Sequence, residues 1–288
     1  MSARLVTILE GAGRSVTIGG GPVVIIGERI NPTGRRFLAR ALGEGNLEPL
    51  LREARAQVEA GAAVLDVNVG VPGLDQVEWL PRVVEAVQAV VDVPLCLDSP
   101  EPEALAAGLR VYRGKALLNS TTADPALLDR LVPLAREHGA ALVGLLTDEG
   151  GIPGTADGRL QLADRIVRRA EREGLPPSDL VLDPVVLAVA ADTGAAAVTL
   201  ATIAGIAATY GVNITLGASN VSFGLPGRAE LNAAFLALAI GQGVTCPIAD
   251  PTHPAVRRAV LAAGLLLGRD PYARRWIGDH RRRPGGPA

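Results

Sequence analysis

Val64-Leu65-Asp66-Val67-Asn68-Val69 is a short apolar run, rich in β-branched residues, with two small polar side chains near its end. A run that is apolar at both odd and even positions reads as a strand buried on both faces, as in a parallel sheet covered by helices. Working outward, the pattern recurs. Upstream lies 23–28; downstream lie 95–99, 116–120, 141–147, 180–186, 214–222 and 246–250. Between them stand stretches with apolar residues three and four apart: 47–60, 80–91, 102–110, 126–138, 160–173, 198–210, 228–241 and 254–268. Eight strand–helix units make either a barrel or a long doubly wound sheet. The count of eight, at a spacing of about 30 residues, favours a (β/α)8 TIM barrel. The first twenty or so residues, closing with Gly19-Gly20-Gly21, read as a short N-terminal hairpin. Residues 1–279 are thus expected to form one barrel domain. The Arg-, Pro- and Gly-rich stretch 280–288 is expected to be a disordered tail.

Composition narrows the function. Net charge is -2 and aromatics are 3 % of the chain, so neither a basic field nor a stacking platform points to nucleic acid. The basic Arg281-Arg282-Arg283 reads as a solvated tail. Two cysteines, Cys96 and Cys246, are too few for a disulfide framework or a cysteine-rich metal site. A reducing cytoplasm is the expected compartment. No signal-peptide pattern opens the chain, and the apolar run 256–267 carries Arg257 and Arg258 and is too short to span a bilayer.

The polar residues gather at the strand ends. The first strand ends in Glu28, Arg29 and Asn31; the second carries Asp66 and Asn68; the third ends Asp98-Ser99 and the fourth Asn119-Ser120. The fifth ends Thr147-Asp148, the sixth carries Asp183, the seventh ends Ser219-Asn220-Val221-Ser222 and the eighth ends at Asp250. In a parallel barrel all eight of these ends share one face, where barrel enzymes keep their active sites. Asp accepts hydrogen bonds and Asn both donates and accepts, so the set suits a heterocycle with an amino group, ring N–H groups and a carbonyl, such as a pterin. For Asp148 and Asp250, capping or loop closure competes with ligand contact. His138, His253 and His280 fall outside the ring, which argues against a His-based metal site, and no tight acidic cluster suggests a directly bound metal. Cys96, two residues before Asp98, shares its face and reads as a packing thiol. The segment from Asp148 to Pro153 is a candidate cover.

At these strand ends the chain resembles the pterin-binding methyltransferases that act with corrinoid proteins. These are the methyltetrahydrofolate:corrinoid/iron–sulfur protein methyltransferases and the folate module of cobalamin-dependent methionine synthase. The matching segments are Ile26-Gly27-Glu28-Arg29-Ile30-Asn31, Leu65-Asp66-Val67-Asn68-Val69-Gly70, Cys96-Leu97-Asp98-Ser99, Leu118-Asn119-Ser120, Gly151-Ile152-Pro153, Leu182-Asp183-Pro184, and Ser219-Asn220-Val221-Ser222 followed by Pro226. Their order and span make the set specific where each segment alone is weak. The resemblance implies that Asp98, Asn119 and Asp183 hydrogen-bond the pterin ring and that Asn220 reaches N5, the nitrogen bearing the methyl group. Asp66, Asn68, Ser219 and Ser222 are placed in the same pocket, with Asn220 and Asp98 as catalytic candidates. Glu28, Arg29 and Asn31 are expected to brace the barrel mouth, with a structural Glu28–Arg29 pair.

The implied activity is methyl transfer between N5 of 5-methyltetrahydrofolate and the cobalt of a separate corrinoid protein, in either direction, by a homodimer. The chain shows no zinc-binding Cys set and no corrinoid module, so the corrinoid is expected on another chain. The nearest alternative is a dihydropteroate synthase-like pterin enzyme, which calls for a Lys or Arg at the pterin and the diphosphate. The seventh strand end has no Lys, although Arg29 and Arg228 are nearby. A non-catalytic pterin-binding or corrinoid-docking subunit is the other alternative.

Overall fold

The computed structural model describes residues 5–281. A hairpin of β1 (Thr7–Glu10) and β2 (Ser15–Ile18) comes first. β3 (Ile26–Ile30) then leads through α1 (Arg36–Gly43) and α2 (Glu48–Glu59) to β4 (Val64–Asn68). The alternation continues as α3 (Gln76–Gln88), β5 (Leu95–Asp98), α4 (Pro102–Val111), β6 (Leu117–Thr122), α5 (Pro125–Glu137) and β7 (Ala141–Leu145). After these come α6 (Ala156–Arg172), β8 (Leu180–Asp183), α7 (Ala195–Thr209), β9 (Asn213–Ile214), α8 (Arg228–Gln242), β10 (Ile248–Ala249), α9 (Pro254–Leu266) and α10 (Arg274–Arg281).

β3 to β10 form one parallel sheet in the order β10-β3-β4-β5-β6-β7-β8-β9. Its two ends are joined as well. The Ile248 amide donates to the Leu216 carbonyl at 2.9 Å, the Thr245 amide to the Ile214 carbonyl at 3.0 Å, and Gly217 bridges Ile248 in parallel. The expected (β/α)8 TIM barrel is thus the observed fold, hairpin included.

The pleat sorts side chains into two cores. On β4, Leu65 and Val67 face the helices, in the large cluster that also holds Leu95, Leu97, Leu118, Leu142 and Leu182. Val64 faces the barrel interior, with Cys96, Leu117, Ala141, Val143, Val181 and Cys246. The hairpin turns Leu9, Val16 and Ile18 into that interior cluster and plugs the N-terminal end of the barrel. Buried apolar residues therefore fill the lower interior, and the polar members of the same inward-facing rows lie one pleat higher, toward the C-terminal ends. The chain comes too close for a side chain at Gly144, where a Cβ would meet Ile166 of α6 at 2.8 Å.

Three local expectations need correction. The strand expected over 214–222 stops at Ile214, and Ala218–Ser222 is a 3-10 turn. There the Ser222 hydroxyl bonds back to the Ser219 carbonyl, a local hydrogen bond that competes with the ladder. The eighth strand is likewise only Ile248–Ala249. His280 and Arg281, expected to belong to a disordered tail, are instead helical in α10. Buried Asp279 pairs with Arg257 of α9 at 2.7 Å and ties that helix down. The remainder of the expected tail, with Arg282 and Arg283, lies outside the described residues.

Candidate active site

The C-terminal ends of the strands surround a cavity of about 860 Å³. Most of the polar strand-end residues face it: Glu28 and Arg29 of β3 and Asn31 just beyond it, Asp66 of β4, Asp98 of β5, Asn119 of β6, Asp183 of β8, Ser219 and Asn220 after β9, and Asp250 after β10. Parallel register explains the convergence, since Asn68 pairs with Asp98 and Asp98 with Asn119 along neighbouring strands.

One wall is a hydrogen-bonded row. The Asn68 side-chain amide donates to Asp98 Oδ2 at 2.9 Å, and the Asn119 amide donates to Asp66 Oδ1 at 3.3 Å. Asp66 and Asp98 lie against each other on neighbouring strands, so ionising one bears on the other. Burial, and then the neighbouring Asp98 charge, push the Asp66 carboxyl well above the usual carboxylate range. Burial raises Asp98 to about 6 against the pull of the Asn68 amide. The Cys96 thiol below them is driven up by burial and by these carboxylates and stays neutral, as a packing thiol should.

Opposite stands Asp183, whose Oδ1 accepts the Val185 amide at 2.8 Å. Burial lifts its carboxyl to about 7, against that bond and the nearby Arg159 cation. Arg159 is itself buried and donates to the Pro153, Pro184 and Val185 carbonyls and to the Thr199 hydroxyl, locking the loop after β8 to α6 and α7. Sequence reasoning passed over Arg159 because it lies inside an amphipathic helix, where a charged residue is normally exposed.

The third side holds the turn after β9. Asn220 is exposed to the cavity, lies against Gly217, and its side-chain amide has no hydrogen-bond partner among the described residues. Arg228 at the start of α8 clamps this turn, donating to the Ser219 carbonyl at 2.8 Å and the Ser222 hydroxyl at 3.1 Å.

Some expected positions sit elsewhere. Asn68 and Ser222 do not face the cavity; each stands behind its wall, bonded to Asp98 and Arg228 respectively. Asp148 turns away to accept Arg165 at 2.9 Å and the Gly150 amide at 3.0 Å, and the segment from Asp148 to Pro153 takes no part in the lining. The expected Glu28–Arg29 pair is absent among the described residues. Arg29 instead reaches Glu53 at 2.6 Å and Asp250 at 2.7 Å, bracing the mouth across α2 and β10, while Glu28 accepts Ser219. The sequence could not separate these outcomes, because adjacent strand residues point to opposite faces and the bracing acid, Glu53, comes from a helix. His253, placed outside the ring on sequence grounds, caps α9 at the cavity rim, and Asn232 of α8 also faces in. No group of three His, Cys, Asp or Glu among the described residues could hold a metal ion.

Known proteins place this architecture. A relative named methylcorrinoid:tetrahydrofolate methyltransferase, from Eubacterium limosum, is 34% identical over 269 residues, covering 92% of this chain and 98% of that protein. Among solved structures, dihydropteroate synthase from Thermus thermophilus in complex with 6HMPPP matches with a TM-score of 0.65 at 22% identity, covering 91% of this chain and 99% of that one. Yersinia pestis dihydropteroate synthase with a pterine-sulfa conjugate matches with a TM-score of 0.68 at 16% identity, covering 91% and 100%. At such identities these structures speak for the barrel alone. The model of the family described as pterin binding enzyme matches residues 27–250, the stretch that runs from the first barrel strand to the last and supplies the cavity wall. The chain belongs to the pterin binding enzyme family.

Proposed function

We propose that the protein is a methyltransferase that moves a methyl group from the cobalt of a separate corrinoid protein to N5 of tetrahydrofolate, the direction carried in the name of the relative at 34% identity. The observation that carries this reading is one cavity lined by Asp98, Asn119, Asp183 and an Asn220 amide that has no hydrogen-bond partner among the described residues. The carboxylates accept from the pterin amino and ring N–H groups, and Asn119 can serve either a donor or an acceptor. Asn220 is left to answer N5. Asp66, Asn68, Ser219 and Ser222 hold these groups in place. The corrinoid, borne by its own protein, is a substrate that approaches through the open mouth.

The protein supplies orientation and electrostatics. Pinning the pterin by its edge presents N5 to the incoming methyl group in line, which converts a bimolecular encounter into a positioned one. An amide that swings toward N5 as charge develops stabilises the transition state more than the ground state. The dihydropteroate synthase reading calls for a basic residue at the pterin and the diphosphate. Lys115, the only lysine in the sequence, pairs with Asp179 away from the cavity, and Arg29 and Arg228 are already engaged.

A cytoplasmic homodimer fits the same reading. Both thiols are buried, and no helix among the described residues is long and apolar enough to cross a membrane. α7 has no charged residue, and Leu231 and Leu238 of neighbouring α8 are exposed. Sedimentation would report the oligomeric state.

Asn220→Ala tests the central assignment. The variant is expected to bind tetrahydrofolate within a few-fold of the parent and to transfer methyl roughly 10²-fold more slowly at saturation. Weakened affinity with an intact rate at saturation would remove that role.

A further inference from the structure

The methyl-transfer chemistry needs a group to manage the proton on N5, and the cavity offers one that the mouth-bracing role does not use. Glu28 leaves β3 into the cavity rather than toward Arg29. Its Oε2 accepts the Ser219 hydroxyl at 2.9 Å, and its other oxygen has no hydrogen-bond partner among the described residues. Ser219 directly precedes Asn220, so Glu28 is bonded to the turn that carries Asn220, whereas Asp98 lies on β5, away from that turn, and the printed bond of Asp183 is to the Val185 amide after β8. Four charged groups bear on it. Asp66 and Asp250 disfavour its ionised form, and Arg29 and Arg228 favour it. Neither arginine forms an ion pair with it, because Arg29 is held by Glu53 and Asp250 and Arg228 by the Ser219 carbonyl and Ser222.

We propose that Glu28 takes the N5 proton when tetrahydrofolate is methylated and returns it in the reverse direction. The inference rests on the cavity being the methyl-transfer site. In the forward step the N5 lone pair forms the N–CH3 bond, and the Co–C bonding pair stays on cobalt, leaving Co(I). N5 is then cationic and still bears its hydrogen; that proton passes to the Glu28 carboxylate and from there to solvent. In reverse, protonated Glu28 gives its proton to N5, Co(I) supplies the pair for the Co–C bond, and the C–N pair returns to nitrogen. Burial sets the Glu28 carboxyl at about 7, where a proton can be taken or given at little cost near neutrality.

The test is Glu28→Gln, which keeps the acceptor for Ser219 and removes the exchangeable proton. Single-turnover methyl transfer from methylated corrinoid to tetrahydrofolate is followed by cobalt absorbance from pH 5.5 to 8.5, beside calorimetric tetrahydrofolate binding. The expected result is a loss of about 10²-fold or more at saturation, folate affinity within about threefold, and absence of the break near pH 7 expected of the parent. Glu28→Asp, which keeps the acid on a shorter stem, should retain the break with an intermediate rate, and decides the matter if the Gln variant does not fold. Either variant matching the parent in both rate and profile overturns the proposal, as does lost folate affinity with the break and the saturated rate intact. A parent protein that binds folate but moves no methyl group in either direction removes the methyl-transfer reading itself, and this proposal with it.

Discussion

Asp183 should cost the empty protein stability, and the cost can be worked out. Its carboxyl rises from 3.8 to about 7 on folding, mainly through burial. A folded value above the unfolded one means that the native state holds the extra proton. The associated stability is complete below pH 3.8 and is lost as the pH climbs through 7. At pH 8 the loss is about 3 units at about 1.4 kcal/mol each, or about 4 kcal/mol; at pH 5 it is under about 2 kcal/mol. Asp183→Asn keeps an oxygen for the Val185 amide and removes the charge. Urea unfolding of parent and variant at both pH values isolates the effect, because the other carboxyls titrate alike in the two proteins. The variant should be the more stable by up to about 4 kcal/mol at pH 8, with the gap narrowing by about half or more at pH 5. It should also lose tetrahydrofolate affinity, since a carboxylate retained at the expense of the fold is retained for a ligand. A variant that is less stable at pH 8, or a gap that does not change with pH, would refute the reasoning.

Two further substitutions probe the scaffold. Arg159→Leu removes four hydrogen bonds at once and leaves the Pro153, Pro184 and Val185 carbonyls without that donor. It should cost about 3 kcal/mol or more in urea unfolding, and a change within about 1 kcal/mol would contradict the locking role. Gly144→Ala drives a Cβ to 2.8 Å from Ile166 and 3.1 Å from Leu182; overpacking should cost about 1–3 kcal/mol, read as a lowered thermal midpoint with folate binding unchanged.

How far the sequence speaks can be judged residue by residue. The apolar runs around Leu65, Leu97 and Leu118 announce strands because both faces are buried, and the polar residue ending each run announces the mouth. Asp98, Asn119, Asp183 and Asn220 were legible for that reason. Asn68 and Ser222 were legible as neighbours of the site but not as residues standing behind its wall, since a one-dimensional pattern gives the face of a strand and not the depth of a side chain. The shortness of β9 was hidden because the side-chain bonds of Ser219, Ser222 and Arg228 that bend the chain there span a turn and a helix start. The contact of Asp66 with Asp98 joins residues on different strands, so only register could bring them together. Glu28 read as half of an ion pair with Arg29 until the fold supplied Arg29 with Glu53.

The most direct measurement of the central claim is the visible spectrum of cobalt. The pure protein is mixed under anaerobic conditions with 5-methyltetrahydrofolate and free cob(I)alamin, and separately with methylcobalamin and tetrahydrofolate. Protein-dependent exchange between the Co(I) and methyl-Co(III) bands, lost in Asn220→Ala, is the predicted result. Absence of exchange with free cobalamin and with protein-bound corrinoid alike, in a protein that calorimetry shows to bind folate, would contradict it.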